Sequence, residues 1–216
     1  MPSITPRTES VVTMWRRASE RERALLGEMH LHYEREIRRL KDADHEPQDL
    51  AHTIHGLIDA SVAHTMATDR NAPNVKCAKG CAGCCSLFVN ITQAEAVLLV
   101  GWCADQGIAI DWDRVAAQAQ HDLATWKDQK HHQRRCVFLG KDDTCQVYEH
   151  RPAQCRKYLV VTDPKYCNTV RHPGATVGIL APVEGEVITS AMLGLMENGL
   201  MARMLLAARD EGMPPP

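Results

Sequence analysis

The chain has 216 residues, 44% of them hydrophobic and 5% aromatic, with a formal net charge of −2. That is enough apolar material for one core plus a metal-held satellite, too much for a disordered chain, and without the basic excess that a nucleic-acid footprint needs. No run reaches the roughly 18 apolar residues that cross a bilayer, and Met1 to Ser10 lacks the apolar centre of a signal peptide. A soluble cytoplasmic protein with reduced thiols is expected, one that binds neither nucleic acid nor membrane.

In chain order, Val11 to Lys41 holds no Pro and places Trp15, Ala18, Leu25, Met29, Tyr33, Ile37 and Leu40 at helical spacing, so one long amphipathic helix is expected. Pro47 sits where a first helical residue belongs, and Leu50, Ile54, Leu57, Ile58, Val62 and Met66 form a second stripe ending near Asp69. The two are expected to form an antiparallel hairpin filling residues 1–70. Thr92 followed by Glu95 has the form of a capping box and opens a helix over 93–106, stopped by Gly107. Asp111 caps a further helix over 112–129. Cys136 to Leu139 and Thr144 to Tyr148 flank Gly140-Lys141-Asp142-Asp143 and suggest a small β-hairpin with a cysteine on each arm. Arg151-Pro152 opens a short helix carrying Cys155. Val183 to Arg209 keeps helical spacing, with a break expected at Asn198-Gly199. The fold class is thus mainly α: a helical bundle flanking an irregular cysteine-rich centre (71–175) with a small hairpin, closed by a C-terminal helical extension (176–216), packed as one unit.

Cys77, Cys81, Cys84 and Cys85 place four sulfurs in nine residues, and Cys136, Cys145, Cys155 and Cys167 supply four more. Crowded thiolates repel one another and become stable as a group when a metal neutralises them. Gly80 and Gly83 disfavour a regular helix through the first cluster and suit a tight loop whose N–H groups point at sulfur. A disulfide between the adjacent Cys84 and Cys85 is strained, which favours metal ligation. Four thiolates serve a tetrahedral zinc ion or a four-iron cluster equally well. Cys103, inside an apolar helical run, reads as a core residue. His52, His55 and His64 on the second helix read as a packed or solvated face rather than a metal site. His131 and His132 lie near the second cysteine set and are weaker ligand candidates.

Cys77-x3-Cys81-x2-Cys84-Cys85, Cys136-Val137-Phe138-Leu139, Cys145-Gln146-Val147-Tyr148 and Arg151-Pro152-x2-Cys155-Arg156 together resemble the YkgJ-like cysteine-cluster family, whose proteins are described as zinc- or iron-chelating. The resemblance covers about Cys77 to Cys167 and implies a metal-chelating domain. A flagellin lysine methylase resembles the family in its cysteine cluster, but no Gly-rich strand-to-helix loop for a nucleotide-like cofactor is present here.

Arg151 and Arg156 fall inside this motif and are expected to support a negatively charged thiolate centre, while Lys127, Lys130, Arg134 and Arg135 have the form of a solvated basic run. The function expected is that of a metal-binding accessory protein. It would carry an iron–sulfur cluster, with zinc as the alternative cofactor, and serve a larger metalloenzyme or redox protein as partner through its helical extensions. The competing readings are a cluster-dependent oxidoreductase or methyl-transferring enzyme and a structural zinc module. The Met residues at 192, 196, 201 and 204 are expected to pack the core.

Overall fold

The computed structural model describes residues 18–43, 45–78 and 80–212. Ser19 and Glu22 build a reciprocal capping box that starts α1 (Glu20–Asp42). The helix expected from Val11 therefore begins, among the described residues, at Glu20; Val11 to Arg17 with Trp15, and the Met213 to Pro216 tail, lie outside them. Pro47 opens α2 (Pro47–Thr68) as the sequence suggests. A 3-10 turn (Ala72–Asn74) leads into the first cysteines. Beyond them come β1 (Asn90–Thr92), α3 (Gln93–Asp105) and α4 (Trp112–Ala119), then the short helices α5 (Leu123–Trp126), α6 (His131–Arg134) and α7 (Ala153–Arg156).

The C-terminal third supplies β2 (Leu159–Val160), β3 (Ile179–Leu180), α8 (Val183–Leu195), β4 (Asn198–Leu200) and α9 (Met201–Gly212). The break expected at Asn198-Gly199 is built as a strand: β4 pairs antiparallel with β1, Asn90 opposite Leu200. The Asn198 amide donates to the Leu193 and Met196 carbonyls at 2.7 and 2.9 Å, closing the end of α8. β2 and β3 form a second two-stranded antiparallel pair.

The helix expected over 112–129 is two helices. Asp122 caps a new one by accepting from the Thr125 N–H at 2.9 Å. Arg203 of α9 donates to the Ala119 and His121 carbonyls at 2.8 and 2.9 Å, so α4 can end without losing acceptor partners. The small hairpin takes a minimal form. One antiparallel bridge joins Leu139 to Cys145, flanked by bonds from Gly140 N–H to the Thr144 carbonyl (2.8 Å) and Gln146 N–H to the Phe138 carbonyl (2.9 Å). Asp143 turns the loop at φ 61°, and Arg135 fastens the loop by donating to Asp143 and to the Gly140 carbonyl.

Two main cores result. One lies under α3, α4 and α9, where Ile91, Leu99, Val115 and Leu205 are fully buried. The other lies among α1, α2 and α8, with Ile37, Ile54, Ile58 and Ile188 fully buried. Each such side chain contributes about 1.5–3 kcal/mol of burial free energy. Direct contact between α1 and α2 is slight; α8 packs on both and completes the N-terminal helical pair. Across this join, Tyr33 hydrogen-bonds Glu184 and Gly185 N–H donates to Ser61 Oγ at 2.8 Å, while the buried Lys157 ammonium, just after α7, pairs with the buried Glu186 of α8. A smaller cluster of Tyr158, Val160, Cys167 and Val177, with Cys84 packed against it, faces the α3/α9 core from the cysteine side.

Candidate metal centre

The first cysteine loop is a chain of tight turns. Cys81 N–H bonds to the Ala78 carbonyl, Cys85 N–H to Ala82 and Leu87 N–H to Cys84, at 3.0, 3.0 and 3.1 Å. Gly80 sits at φ 87°, a left-handed conformation that disfavours any side chain. Gly83 is required for a different reason: a Cβ there would stand 2.7 Å from the Pro164 carbonyl oxygen and 3.0 Å from Cys167 Cβ. That close approach brings the 3-10 turn Pro164–Cys167 against the loop. On the other side, Cys136 N–H donates to the Cys85 carbonyl at 2.7 Å and joins the second cysteine segment to the first. Cys77 is held from a third direction, its Sγ accepting from Val160 N–H at 3.2 Å beside β2.

These connections turn all eight cysteines named in the sequence, Cys77, Cys81, Cys84, Cys85, Cys136, Cys145, Cys155 and Cys167, onto one cavity of about 100 Å³. Cys103 is 1% exposed in the α3 core and does not line it. A cavity of that size suits an ion or compact inorganic group rather than a substrate, since substrate pockets begin near about 300 Å³. As the side chains stand, no three or more His, Cys, Asp or Glu among the described residues are gathered tightly enough to hold a metal ion, so the thiols ring the space rather than converge on a point.

The donor set fits a thiolate-bound metal in three respects. Three cysteines accept the N–H of the residue two places on: Gly83 to Cys81, Phe138 to Cys136 and Val147 to Cys145. Such N–H···S bonds stabilise a sulfur that carries negative charge. Secondly, burial followed by repulsion from Cys155, Cys145 and Cys84 pushes the Cys136 thiol up to about 12, and Cys85, hydrogen-bonded to the Cys84 side chain and buried, is driven up as well. Without a cation these groups are neutral thiols, and a metal that displaces their protons removes the conflict. Thirdly, two guanidinium groups line the cavity. Arg151 opposes the upward shift that burial imposes on Cys77 and Cys145. Arg134 is 7% exposed, and its Nε is buried without a hydrogen-bond partner.

Arg134, which the sequence places in a basic run with the form of a solvated loop, is buried here and lines the cavity. Gln118 of α4 explains its burial: the Gln118 amide donates to the Gln133 and Arg135 carbonyls at 2.7 and 2.9 Å and draws the run against the core. Only the adjacency of the run to Cys136 hinted at this. Arg156 is placed differently from Arg134. Expected beside the thiolates, it does not line the cavity; it donates to the Arg151 carbonyl at 2.7 Å, to the Glu149 carbonyl and to Asp59 of α2 at 2.6 Å. Through the first of these bonds it is tied to the backbone of Arg151. His55 faces Glu95 of α3 at 3.0 Å and is packed, His64 is exposed, and His131 bonds to Asn168 at 2.9 Å outside the thiol cavity. Met192 and Met201 are buried in the cores.

A helical scaffold that directs eight thiols, backbone donors and two guanidinium groups at one small cavity defines a thiol-based metal-binding domain. Residues 76–171 match the model of the CxxCxxCC family, described as "Putative zinc- or iron-chelating domain". No curated relative and no solved structure matches the chain. No helix among the described residues is long and apolar enough to cross a membrane.

Proposed function

We propose that the protein carries an iron–sulfur cluster on thiolates drawn from Cys77, Cys81, Cys84, Cys85, Cys136, Cys145, Cys155 and Cys167, and acts as a metal-binding accessory protein to a larger redox or metalloenzyme partner. The observation that carries the metal-binding reading is that eight thiols line a single cavity, more than one four-thiolate site uses; sulfide analysis separates the cluster from zinc. When bound, a cluster supplies one-electron chemistry. The chain's own groups then have defined tasks. Gly83, Phe138 and Val147 donate N–H groups to sulfur, Arg151 and Arg134 offset negative charge, and Phe138, Trp126 and Val147 keep water from the cavity wall. The accessory role is supported by α1, α2 and α8, which lie outside the cysteine segment and share a core that takes in Ala153 from it.

Anaerobic purification with metal and acid-labile sulfide analysis tests the proposal. Iron with equimolar sulfide and a charge-transfer colour is expected, and a Cys81→Ala variant is expected to lose most of both. A colourless protein with zinc and no sulfide overturns the cluster.

A further inference from the structure

A second cleft lies on the outer side of the Cys81–Cys85 loop, which separates it from the thiol cavity. Its volume is about 320 Å³, within the range of small-molecule sites. Arg135, Lys165, Arg171, His131 and His172 line it, together with the single carboxylate Asp143. That carboxylate is engaged by Arg135 at 2.5 Å, and Lys165 pairs with Asp163 on the rim at 3.0 Å. Arg171 has no carboxylate partner among the described residues, so its charge is left over. Asn168 fixes the turn that presents it, its Oδ1 accepting from the Val170 and Arg171 N–H groups at 3.2 and 3.0 Å. Positive potential in the cleft is felt by His131, whose imidazole is held below its usual range by burial and then by Arg171, Arg134 and Arg135.

Ser86 points independently to a ligand. It lines the same cleft, is 2% exposed, and its hydroxyl has no hydrogen-bond partner. A buried hydroxyl left unpaired is destabilising, a penalty removed when a ligand oxygen accepts from it. Cys81 and Cys85 line both the cleft and the thiol cavity. A molecule in the cleft therefore lies one loop away from whatever the thiols hold.

We propose that this cleft binds a small oxyanionic ligand, a phosphate group or a dicarboxylate, with Arg171 as its charge partner and Ser86 as a hydroxyl donor. The proposal concerns residues outside the thiol set. It holds whether the metal is iron or zinc, and it is tested separately from the cluster.

Calorimetric titration of the protein as purified, at constant ionic strength, with inorganic phosphate in one arm and malonate in the other, provides the test. Saturable binding is expected. Arg171→Ala is expected to weaken it about tenfold, as for loss of one charge-assisted bond, and Ser86→Ala about fivefold. Arg38→Ala, on the exposed face of α1, should leave affinity unchanged, and metal content should stay at the wild-type value in all three variants. Tighter phosphate than malonate assigns a phosphate group, and the reverse order a dicarboxylate. Absence of saturable binding in both arms, or equal losses in the Arg171 and Arg38 variants, overturns the proposal. A protein that binds phosphate but carries no sulfide would overturn the cluster and leave the cleft standing.

Discussion

Glu95 is 1% exposed, and its carboxylate accepts from the N–H and hydroxyl of Thr92 and from the Ala153 N–H, with His55 at 3.0 Å. It thus caps α3, anchors the start of the Cys155 helix and holds α2. Burial alone would raise its pKa, but the His55 contact and the backbone donors outweigh that and hold it below its usual 4.5. A folded value below the unfolded one means stability that is present above about pH 4.5 and lost as pH falls through the depressed value. Glu95→Ala should cost about 3 kcal/mol at pH 7, because Ala153 N–H and His55 lose their acceptor. Glu95→Gln should show a deficit against wild type that shrinks below pH 4.5. Denaturant midpoints at pH 7 and below 4.5 check both, and a pH-independent deficit would contradict the electrostatic account. The Thr92–Glu95 box was legible from spacing. Its partners were not, since His55 lies 40 residues earlier and Ala153 58 later. The same blindness hid Arg134, whose burial depends on Gln118.

Among the elements, the glycine-bearing loop and the helices respond to opposite rules. Gly83→Ala must push the Pro164–Cys167 turn away, and should lower metal content per chain while costing about 1–3 kcal/mol. Gly101, in the middle of α3 with open space around its Cβ position, should behave oppositely: Gly101→Ala is expected to stabilise by about 0.5–1 kcal/mol with metal content unchanged. Metal analysis and thermal melts on the two variants provide the check. The sequence gives Gly83 as a helix breaker; that it is a contact point for a segment some 80 residues on depends on the tertiary fold. Likewise the stop of α4 at Ala119 depended on Arg203 of α9 taking its carbonyls.

At the scale of the molecule, residues 76–89 and 135–168 have little regular secondary structure to hold them, whereas α1, α2 and α8 share a core. Removing the metal with a chelator should therefore lower the melting temperature, because binding free energy to thiolates is also folding free energy. Hydrogen-exchange protection should fall first around Cys81, Cys136 and Cys155, and should persist at Ile54, Ile58 and Ile188. Uniform loss of protection would mean that the two halves unfold together. Lys157–Glu186 and Arg156–Asp59 tie the cysteine segment to α8 and α2 and are contacts through which such coupling would pass.

The sequence by itself determined the longer helices, the Thr92 and Asp111 caps and the metal-binding character of the centre, because periodicity, capping residues and crowded thiols are local properties that a chain cannot hide. Only the tertiary structure decided that eight thiols from five segments meet at one cavity. It also decided that Arg134 rather than Arg156 lines it, and that a basic cleft with a buried serine hydroxyl stands beside it. Those facts depend on backbone hydrogen bonds and close contacts between residues tens of positions apart, such as Cys136 with Cys85 and Gly83 with Cys167, which no local pattern encodes.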